Sequence, residues 1–229
     1  MPAAHSLESS GAWMRGLLVV IEGPDGSGKR TQTELLAEHL VKEGLKVKWY
    51  SYPDYGSPYG RLLAEHLEGR KTRGTKEVFL LFLADMVANA EEVERELETG
   101  GVVLMDRYFQ STVAYQSATG FRYEDAKRVE DIFGLREPDI AIYTDIPSET
   151  AMRRKKRQKE LAGGKADRHE TSREIQDKVR EVYERMISEG YGAKRWVKID
   201  GTGSREEQHK RIAEVVDAAC SAIREKSNK

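Results

Sequence analysis

Short apolar runs recur along the chain and alternate with stretches of helical spacing. Five runs have the length and continuity of strands buried on both faces: residues 17–21, 47–51, 102–105, 140–143 and 197–199. Between and after them, apolar residues three and four positions apart predict helices around Leu36, Phe82, Val179 and Val216. Alternation of strand and helix predicts right-handed crossovers, and therefore an α/β fold with a parallel sheet and helices on both faces.

The carboxyl ends of the strands are the expected ligand edge of such a sheet. The loops that follow residues 21, 51 and 105 meet at that edge. These three loops are therefore the expected sources of ligand-binding residues.

The first loop is a glycine-rich turn between a strand and a helix. Its glycines permit backbone conformations that a Cβ forbids, and Lys29 follows Gly23 at the spacing of a phosphate-binding loop. Backbone N–H groups at a helix start, together with a lysine, bind the phosphates of a nucleoside triphosphate. A tight turn without a ligand is the alternative interpretation. The residues expected to bind this donor are Gly23, Pro24, Asp25, Gly26, Ser27, Gly28, Lys29, Arg30 and Thr31.

The other two loops carry further candidate chemistry. Asp106 follows the third apolar run, where a carboxylate beside a phosphate loop can hold Mg²⁺, and the adjacent Arg107 can clamp a phosphate. A structural ion pair is the alternative. Residues 52–61 are rich in Pro, Gly and Tyr, which suits either a pocket wall or a structural turn. Phe82 is expected in the core, although a ring that faced the pocket could stack on a base.

Composition narrows the class of protein. A chain of 229 residues fits one α/β domain, which we place at residues 16–226, after a leader (1–15) without structure, native or left by cloning. The net charge of −1 gives no bulk attraction to nucleic acid. A single cysteine, Cys220, excludes an internal disulfide and fits a reducing compartment. Without a signal peptide or an apolar run of about 20 residues, we expect a cytoplasmic protein with no membrane contact.

A dense basic run begins at Arg153 and ends at Lys159, and two adjacent glycines follow at 163 and 164. Alone, such a run is typical of a solvated helix end. Beside a triphosphate site, it predicts a flexible basic lid over residues 153–170 that closes on phosphates and excludes water.

Together these blocks resemble the thymidylate kinases. The resemblance is carried by the loop from Glu22 to Gln32, the Tyr-Pro-Asp-Tyr sequence at 52–55, the block from Asp106 to Gln116, and Pro138-Asp139 before a strand. It extends from about residue 17 to about residue 203. It implies a P-loop NTPase fold with a five-stranded parallel core, transfer of the ATP γ-phosphate to dTMP with Mg²⁺, and a homodimer.

The resemblance also implies roles for individual residues. Lys29 and the loop amides would hold the donor phosphates, and Arg107 would grip the dTMP phosphate. The catalytic arginine of this family lies in the loop or in the lid; Gly26 stands at the loop position here, so the lid must supply it. Its candidates are Arg153, Arg154 and Arg157, with Arg168 as an outlier, and Asp167 and Glu170 could order the lid or the metal. The expected dTMP-binding residues are Asp54, Tyr55, Phe82, Arg107, Ser111, Tyr115 and Gln116, and the expected metal ligands are Asp106 and Asp25.

Two positions depart from the family pattern. Met86 follows Asp85 where the family usually has a base-contacting arginine, so a related kinase with broader pyrimidine specificity, acting on dUMP or dCMP, is an alternative. Arg30 stands where the phosphate loop usually has its Mg²⁺-binding Ser or Thr, so the metal must depend on Asp106, Asp25 and the phosphates. A non-catalytic nucleotide-binding regulator is a more distant alternative.

Overall fold

The computed structural model describes residues 16–162 and 173–227, which form a single parallel sheet covered by helices. The strands are β1 (Leu17–Glu22), β2 (Val47–Ser51), β3 (Val102–Asp106), β4 (Ile140–Asp145) and β5 (Trp196–Asp200). The helices are α1 (Lys29–Lys42), α2 (Pro58–Leu67), α3 (Thr75–Val87), α4 (Ala90–Glu98), α5 (Phe109–Ala118), α6 (Tyr123–Phe133), α7 (Ser148–Ala162), α8 (Arg173–Glu189) and α9 (Arg205–Ser227).

The sheet has the order β2-β3-β1-β4-β5, and every neighbouring pair is parallel. This confirms the predicted five-stranded parallel sheet, and each apolar run lies within one strand. β1, β3 and nearly all of β4 are buried, as their continuous apolar sequences predict. The expectation of burial on both faces is wrong for the edge strands β2 and β5, which expose residues such as Lys48 and Lys198.

Two hydrophobic clusters cover the two faces of the sheet. One lies beneath α3, α5 and α8 and contains Phe79, Phe109 and Tyr183. The other lies beneath α1 and α9 and contains Leu36 and Ile212. Helices on both faces are therefore confirmed.

The β1, β2 and β3 carboxyl ends lie side by side, because parallel strands in register finish at the same edge. Ile21 and Ser51 are both in register with Asp106. This edge brings together the three loops singled out in the sequence. In the described part of the chain, no helix is both long and apolar enough to cross a membrane. The single domain at 16–226 stays a prediction, and the leader lies outside the described residues.

Candidate active site

The glycine-rich turn between β1 and α1 depends on left-handed backbone at three positions. Gly23, Gly26 and Gly28 have φ values of 145°, 84° and 90°. A Cβ on Gly23 would lie 2.6 Å from Thr144 Oγ1, so this position also needs the space that glycine leaves. Thr144 Oγ1 donates a hydrogen bond to the Glu22 carbonyl at 2.9 Å and lies 2.8 Å from Ser27 Oγ. β4 therefore holds both ends of the turn.

Lys29 is the first residue of α1 and is buried, with 6% of its surface exposed. Its Nζ donates to the Pro24 carbonyl at 2.8 Å across the turn. Burial, with the charge of Arg107, lowers the pKa of Lys29 to about 7.

Arg30, next to it, is exposed and pairs with Glu34 at 3.1 Å, so it does not replace the hydroxyl that the pattern lacks. Thr31 is partly buried within α1.

Asp25 and Arg107 form an ion pair that joins the turn to the β3–α5 connection. Burial of Asp25 opposes its ionisation, but the charges of Arg107, Lys29 and Lys155 outweigh it and hold the pKa of this carboxyl well below its ordinary range. Arg107 Nη1 also donates to Ser111 Oγ at 3.0 Å, and the guanidinium lies 5.0 Å from the centre of the Tyr115 ring. The alternative interpretation of the sequence, an ion pair between Asp106 and Arg107, is not observed in the described residues; the salt-bridge partner of Arg107 is Asp25.

Arg107 adopts a left-handed backbone conformation with φ of 68°. That conformation is uncommon for a residue with a Cβ and is concentrated at functional sites. Its neighbour Tyr108 donates its backbone N–H to Glu22 Oε1 at 2.8 Å, which ties the strained connection to β1.

Glu22 is a fully buried carboxylate to which sequence reasoning gave no role. It accepts hydrogen bonds from Ser111 Oγ at 2.5 Å and Tyr183 OH at 2.7 Å, besides the Tyr108 N–H. Burial raises the pKa of its carboxyl. A carboxylate as the last residue of a buried apolar strand is the signal that could have found it. Because Tyr108 and Ser111 follow Arg107 closely in sequence, Glu22 fixes the segment that begins with this arginine.

A pocket opens between the turn, the loop after β2, and helices α3, α5 and α7. Most of the predicted acceptor residues line it, whereas Asp54 is exposed and accepts the Gly56 N–H at 2.9 Å. Phe82 packs against the core, as expected, and it also lines the pocket; stacking of its ring on a base stays a prediction. The lining residues are Asp25, Arg30, Ser51, Tyr52, Pro53, Tyr55, Leu67, Phe82, Met86, Arg107, Tyr108, Ser111, Thr112, Tyr115, Gln116 and Lys155.

Two polar groups of α5 are buried in this wall without a hydrogen-bond partner among the described residues. They are Thr112 Oγ1 and Gln116 Nε2, and each residue is 2% exposed. Buried polar atoms are normally satisfied, so this pair indicates a polar ligand in the pocket. Thr112 was missed from sequence, although its position four residues before Gln116 places it on the same helix face.

The loop after β2 is held in place by Asp85, which is completely buried. Asp85 accepts the Asp54 N–H at 2.8 Å and the Ser57 hydroxyl at 2.5 Å. Ser57 in turn caps α2 by accepting the Gly60 N–H at 2.8 Å. Met86, 2% exposed, contributes an apolar surface to the pocket. Asp85 therefore supports the wall formed by Pro53 and Tyr55 from behind.

Asp106 could hold Mg²⁺ at the strand edge. It is 7% exposed, accepts a hydrogen bond from Ser51 Oγ at 3.4 Å, and acts electrostatically on Lys29 and Arg107. Within residues 16–162 and 173–227, no group of three or more His, Cys, Asp or Glu side chains forms a metal site. Mg²⁺ beside a nucleotide commonly uses one or two carboxylates together with substrate phosphates, so this donor set fits the ion.

Helix α7 carries the basic run past the turn and the pocket. Arg154 donates to the carbonyls of Gly201 at 2.8 Å and Thr202 at 3.4 Å, away from the acceptor pocket. Arg153 and Arg157 are exposed, and Lys155 lines the pocket. Asp167, Arg168 and Glu170, in the remainder of the predicted lid, lie outside the described residues. Which arginine is catalytic stays a prediction.

A glycine-rich turn with a buried lysine at the edge of a parallel sheet, beside a pocket that contains an arginine, is the arrangement of a P-loop kinase. The family model described as thymidylate kinase matches residues 21–212. A thymidylate kinase of Caldanaerobacter subterraneus is 35% identical over 89% of this chain and 96% of its own. A thymidylate kinase of Arabidopsis thaliana is 33% identical over 88% of this chain and 71% of its own. A probable thymidylate kinase of Pyrococcus abyssi is 38% identical over 74% of this chain and 82% of its own.

The chain therefore belongs to the thymidylate kinase family. Members of this family are ATP-dependent nucleoside monophosphate kinases, so the predicted class of enzyme is confirmed. Neither the broader pyrimidine kinase nor the non-catalytic regulator receives support from these similarities.

Proposed function

We propose that this kinase binds ATP at the turn of residues 23–31 and dTMP in the adjoining pocket, and transfers the γ-phosphate to give dTDP and ADP. The observation that carries the proposal is the ion pair of Asp25 and Arg107. It joins the triphosphate loop to an acceptor-side arginine at the mouth of one pocket. The two substrates would then meet with their phosphates at this pair.

On the donor side, the backbone N–H groups of the turn and the start of α1 would bind the ATP phosphates. Lys29 would leave the Pro24 carbonyl for the β- and γ-phosphates. Burial lowers the pKa of Lys29, whereas a bound anion raises it. Binding of ATP would therefore promote the charged form of Lys29.

On the acceptor side, Arg107 would bind the dTMP phosphate, with Tyr55 and Asp54 at the loop that covers it. Phe82 would stack on thymine while Gln116 and Thr112 satisfy their buried polar atoms on the base edge. Ser111 would hold Arg107 towards the phosphate, and Tyr115 would crowd a ribose 2′-hydroxyl.

Asp106, with Asp25, would hold Mg²⁺ together with the substrate phosphates, and the ion supplies charge neutralisation between them. The protein residues do the positioning. An acceptor phosphate oxygen is already anionic, so the transfer needs no strong general base. Lys29, Arg107 and an arginine of α7, with Arg153, Arg154 and Arg157 as candidates, would share the charge of the in-line transfer.

We further propose that the enzyme acts in the cytoplasm as a homodimer without a nucleic-acid partner. The reducing environment implied by a single cysteine and the net charge of −1 support the location and the absence of nucleic-acid binding. The molar mass from analytical ultracentrifugation tests the homodimer, and the mass of a single chain would contradict it.

Phosphorylation rates for dTMP, dUMP, dCMP and UMP with ATP test the substrate. We expect the highest kcat/KM for dTMP, because Gln116 and Thr112 offer matched polar atoms while the surface of Met86 suits the thymine methyl group. A higher kcat/KM for any of the other three would contradict the substrate assignment. Loss of all turnover without Mg²⁺ is expected as well.

A further inference from the structure

We propose that Lys155 on α7 is a catalytic residue that contacts the phosphoryl group in transit between donor and acceptor. The inference rests on the proposed function and names a residue that the arginine pattern of the basic run did not single out. It follows from how α7 packs on the phosphate turn.

The start of α7 lies directly against Gly26. A Cβ on Gly26 would come within 2.6 Å of the Ala151 carbonyl oxygen, so the turn and the helix meet there without room for a side chain. Gly26 therefore cannot be replaced by an arginine while α7 keeps this position. The charge that a loop arginine would supply has to come from elsewhere on the covering helix.

Lys155 follows Ala151 by four residues and so lies on the same face of α7, one turn further along. One helical turn beyond the contact of Ala151 with Gly26, Lys155 reaches the pocket and lines the same cavity as Asp25 and Arg107. Its charge also acts on the Asp25 carboxylate, which independently places the ammonium group near the ion pair.

Three cations converge on Asp25. Arg107, Lys29 and Lys155 all act on this one carboxylate, and the further carboxylates that act on Lys29 are Asp106 and Glu22. Cations that converge on one partly enclosed site can stabilise an anion there. In a kinase that anion is the group of phosphates between which transfer occurs.

The neighbouring cations of α7 face elsewhere. Arg154 donates to the carbonyls of Gly201 and Thr202, in the connection between β5 and α9. Arg153, Lys156 and Arg157 are exposed, whereas Lys155 is partly buried. Of the described α7 residues, Lys155 alone lines the acceptor pocket.

The step that Lys155 would assist is an in-line displacement. An acceptor phosphate oxygen forms a bond to the γ-phosphorus while the bond from that phosphorus to the β–γ bridging oxygen breaks, and ADP leaves with the electron pair. No proton is transferred. The ammonium group would stabilise the charge on the moving group, an interaction stronger in the transition state than with bound dTMP.

The test compares Lys155→Ala and Lys155→Arg with the exposed neighbour Lys156→Ala, which removes the same charge from the same helix. We expect kcat of Lys155→Ala to fall about 100-fold, the usual loss for one transition-state donor, with dTMP affinity within about threefold of wild type. Lys155→Arg should recover most of kcat because it restores the charge, and Lys156→Ala should match wild type. Thermal unfolding of each variant reports whether it is folded.

Equal kcat for Lys155→Ala and Lys156→Ala would overturn the inference while leaving the proposed function intact. A rise in KM for dTMP without a change in kcat would also overturn it, since it would assign Lys155 to ground-state binding. A wild type that prefers another monophosphate would refute the proposed substrate. The same four proteins assayed with that acceptor would still decide whether Lys155 acts in the transfer.

Discussion

Asp85 and Ser57 form a partly buried hydrogen bond of 2.5 Å, in which the hydroxyl donates to the carboxylate. The second oxygen of Asp85 accepts the Asp54 N–H at 2.8 Å, so one side chain holds two points of the loop that forms the pocket wall. Burial raises the pKa of Asp85, which shows the desolvation cost that these bonds offset. The same loop carries Tyr55 towards the acceptor site.

Replacement of this carboxylate should therefore change acceptor binding. Asp85→Asn keeps one oxygen for the Asp54 N–H but replaces the acceptor of the Ser57 hydroxyl by an NH₂ group, at a cost of about 1–3 kcal/mol. We expect KM for dTMP to rise about tenfold, while KM for ATP stays within about twofold, because the phosphate turn is separate from this loop. Steady-state kinetics with each substrate varied in turn measure the two constants.

Asp125→Asn on α6 serves as the control, because this partly exposed carboxylate lies near Arg122 and Arg128 at 3.8 and 3.6 Å only. Its stability should lie within about 0.5 kcal/mol of wild type. An equal rise of both KM values in Asp85→Asn would show a general loss of structure and contradict the positioning role.

Alanine substitutions at Gly26 and Gly44 distinguish two causes of lost stability, which are backbone strain and steric overlap with α7. Both have positive φ, at 84° and 76°, but a Cβ on Gly26 would meet the Ala151 carbonyl, while no atom of the described residues would lie within 4 Å of a Cβ on Gly44. Gly44→Ala should cost about 1 kcal/mol of backbone strain, and Gly26→Ala should cost more because α7 must move. Urea unfolding measures both. Equal losses would mean that α7 adjusts without cost.

The fold could be predicted from sequence because its central strands are continuous apolar runs, and such runs have few alternatives to a buried parallel sheet. The edge strands were found but not recognised as edges, since strand order depends on crossovers that local pattern does not record. The phosphate turn was found because its chemistry is local in the chain. Glu22, Asp85 and Thr112 were missed as contributors because their partners or their pocket come from distant segments; Tyr183, for example, reaches Glu22 across 161 residues. Which basic side chain of α7 lines the pocket depends on how this helix is rotated about its axis where it packs on the glycine-rich turn. The sequence of the basic run does not contain that information.

Gln116 and Gln110 offer a matched pair for testing base recognition. Both are buried glutamines of α5, but Gln110 donates its amide to the Gly192 carbonyl, whereas Gln116 lines the pocket and its Nε2 has no partner in the described part of the chain. Gln116→Leu should weaken dTMP binding by about 1–3 kcal/mol, the usual cost when a ligand's polar group loses its partner. Gln110→Leu should lower stability without changing dTMP affinity. Calorimetric titration with dTMP decides between them, and equal affinities would remove Gln116 from the base site.

Lys29 should make ATP binding and stability depend on pH. Its pKa of about 7 in the folded protein lies below the ordinary 10.5, so between these values the unfolded chain binds more protons than the folded one. Stability should therefore rise as the pH increases through this window, by at most about 1.4 kcal/mol per pH unit. Lys29→Met should lose that dependence while remaining folded, and it should abolish turnover.

At pH 8, ATP binding to wild type should take up nearly one proton, because the phosphates restore the ammonium form. Titration calorimetry in two buffers of different ionisation enthalpy measures the uptake, and a value of zero in wild type would contradict the depressed pKa of Lys29.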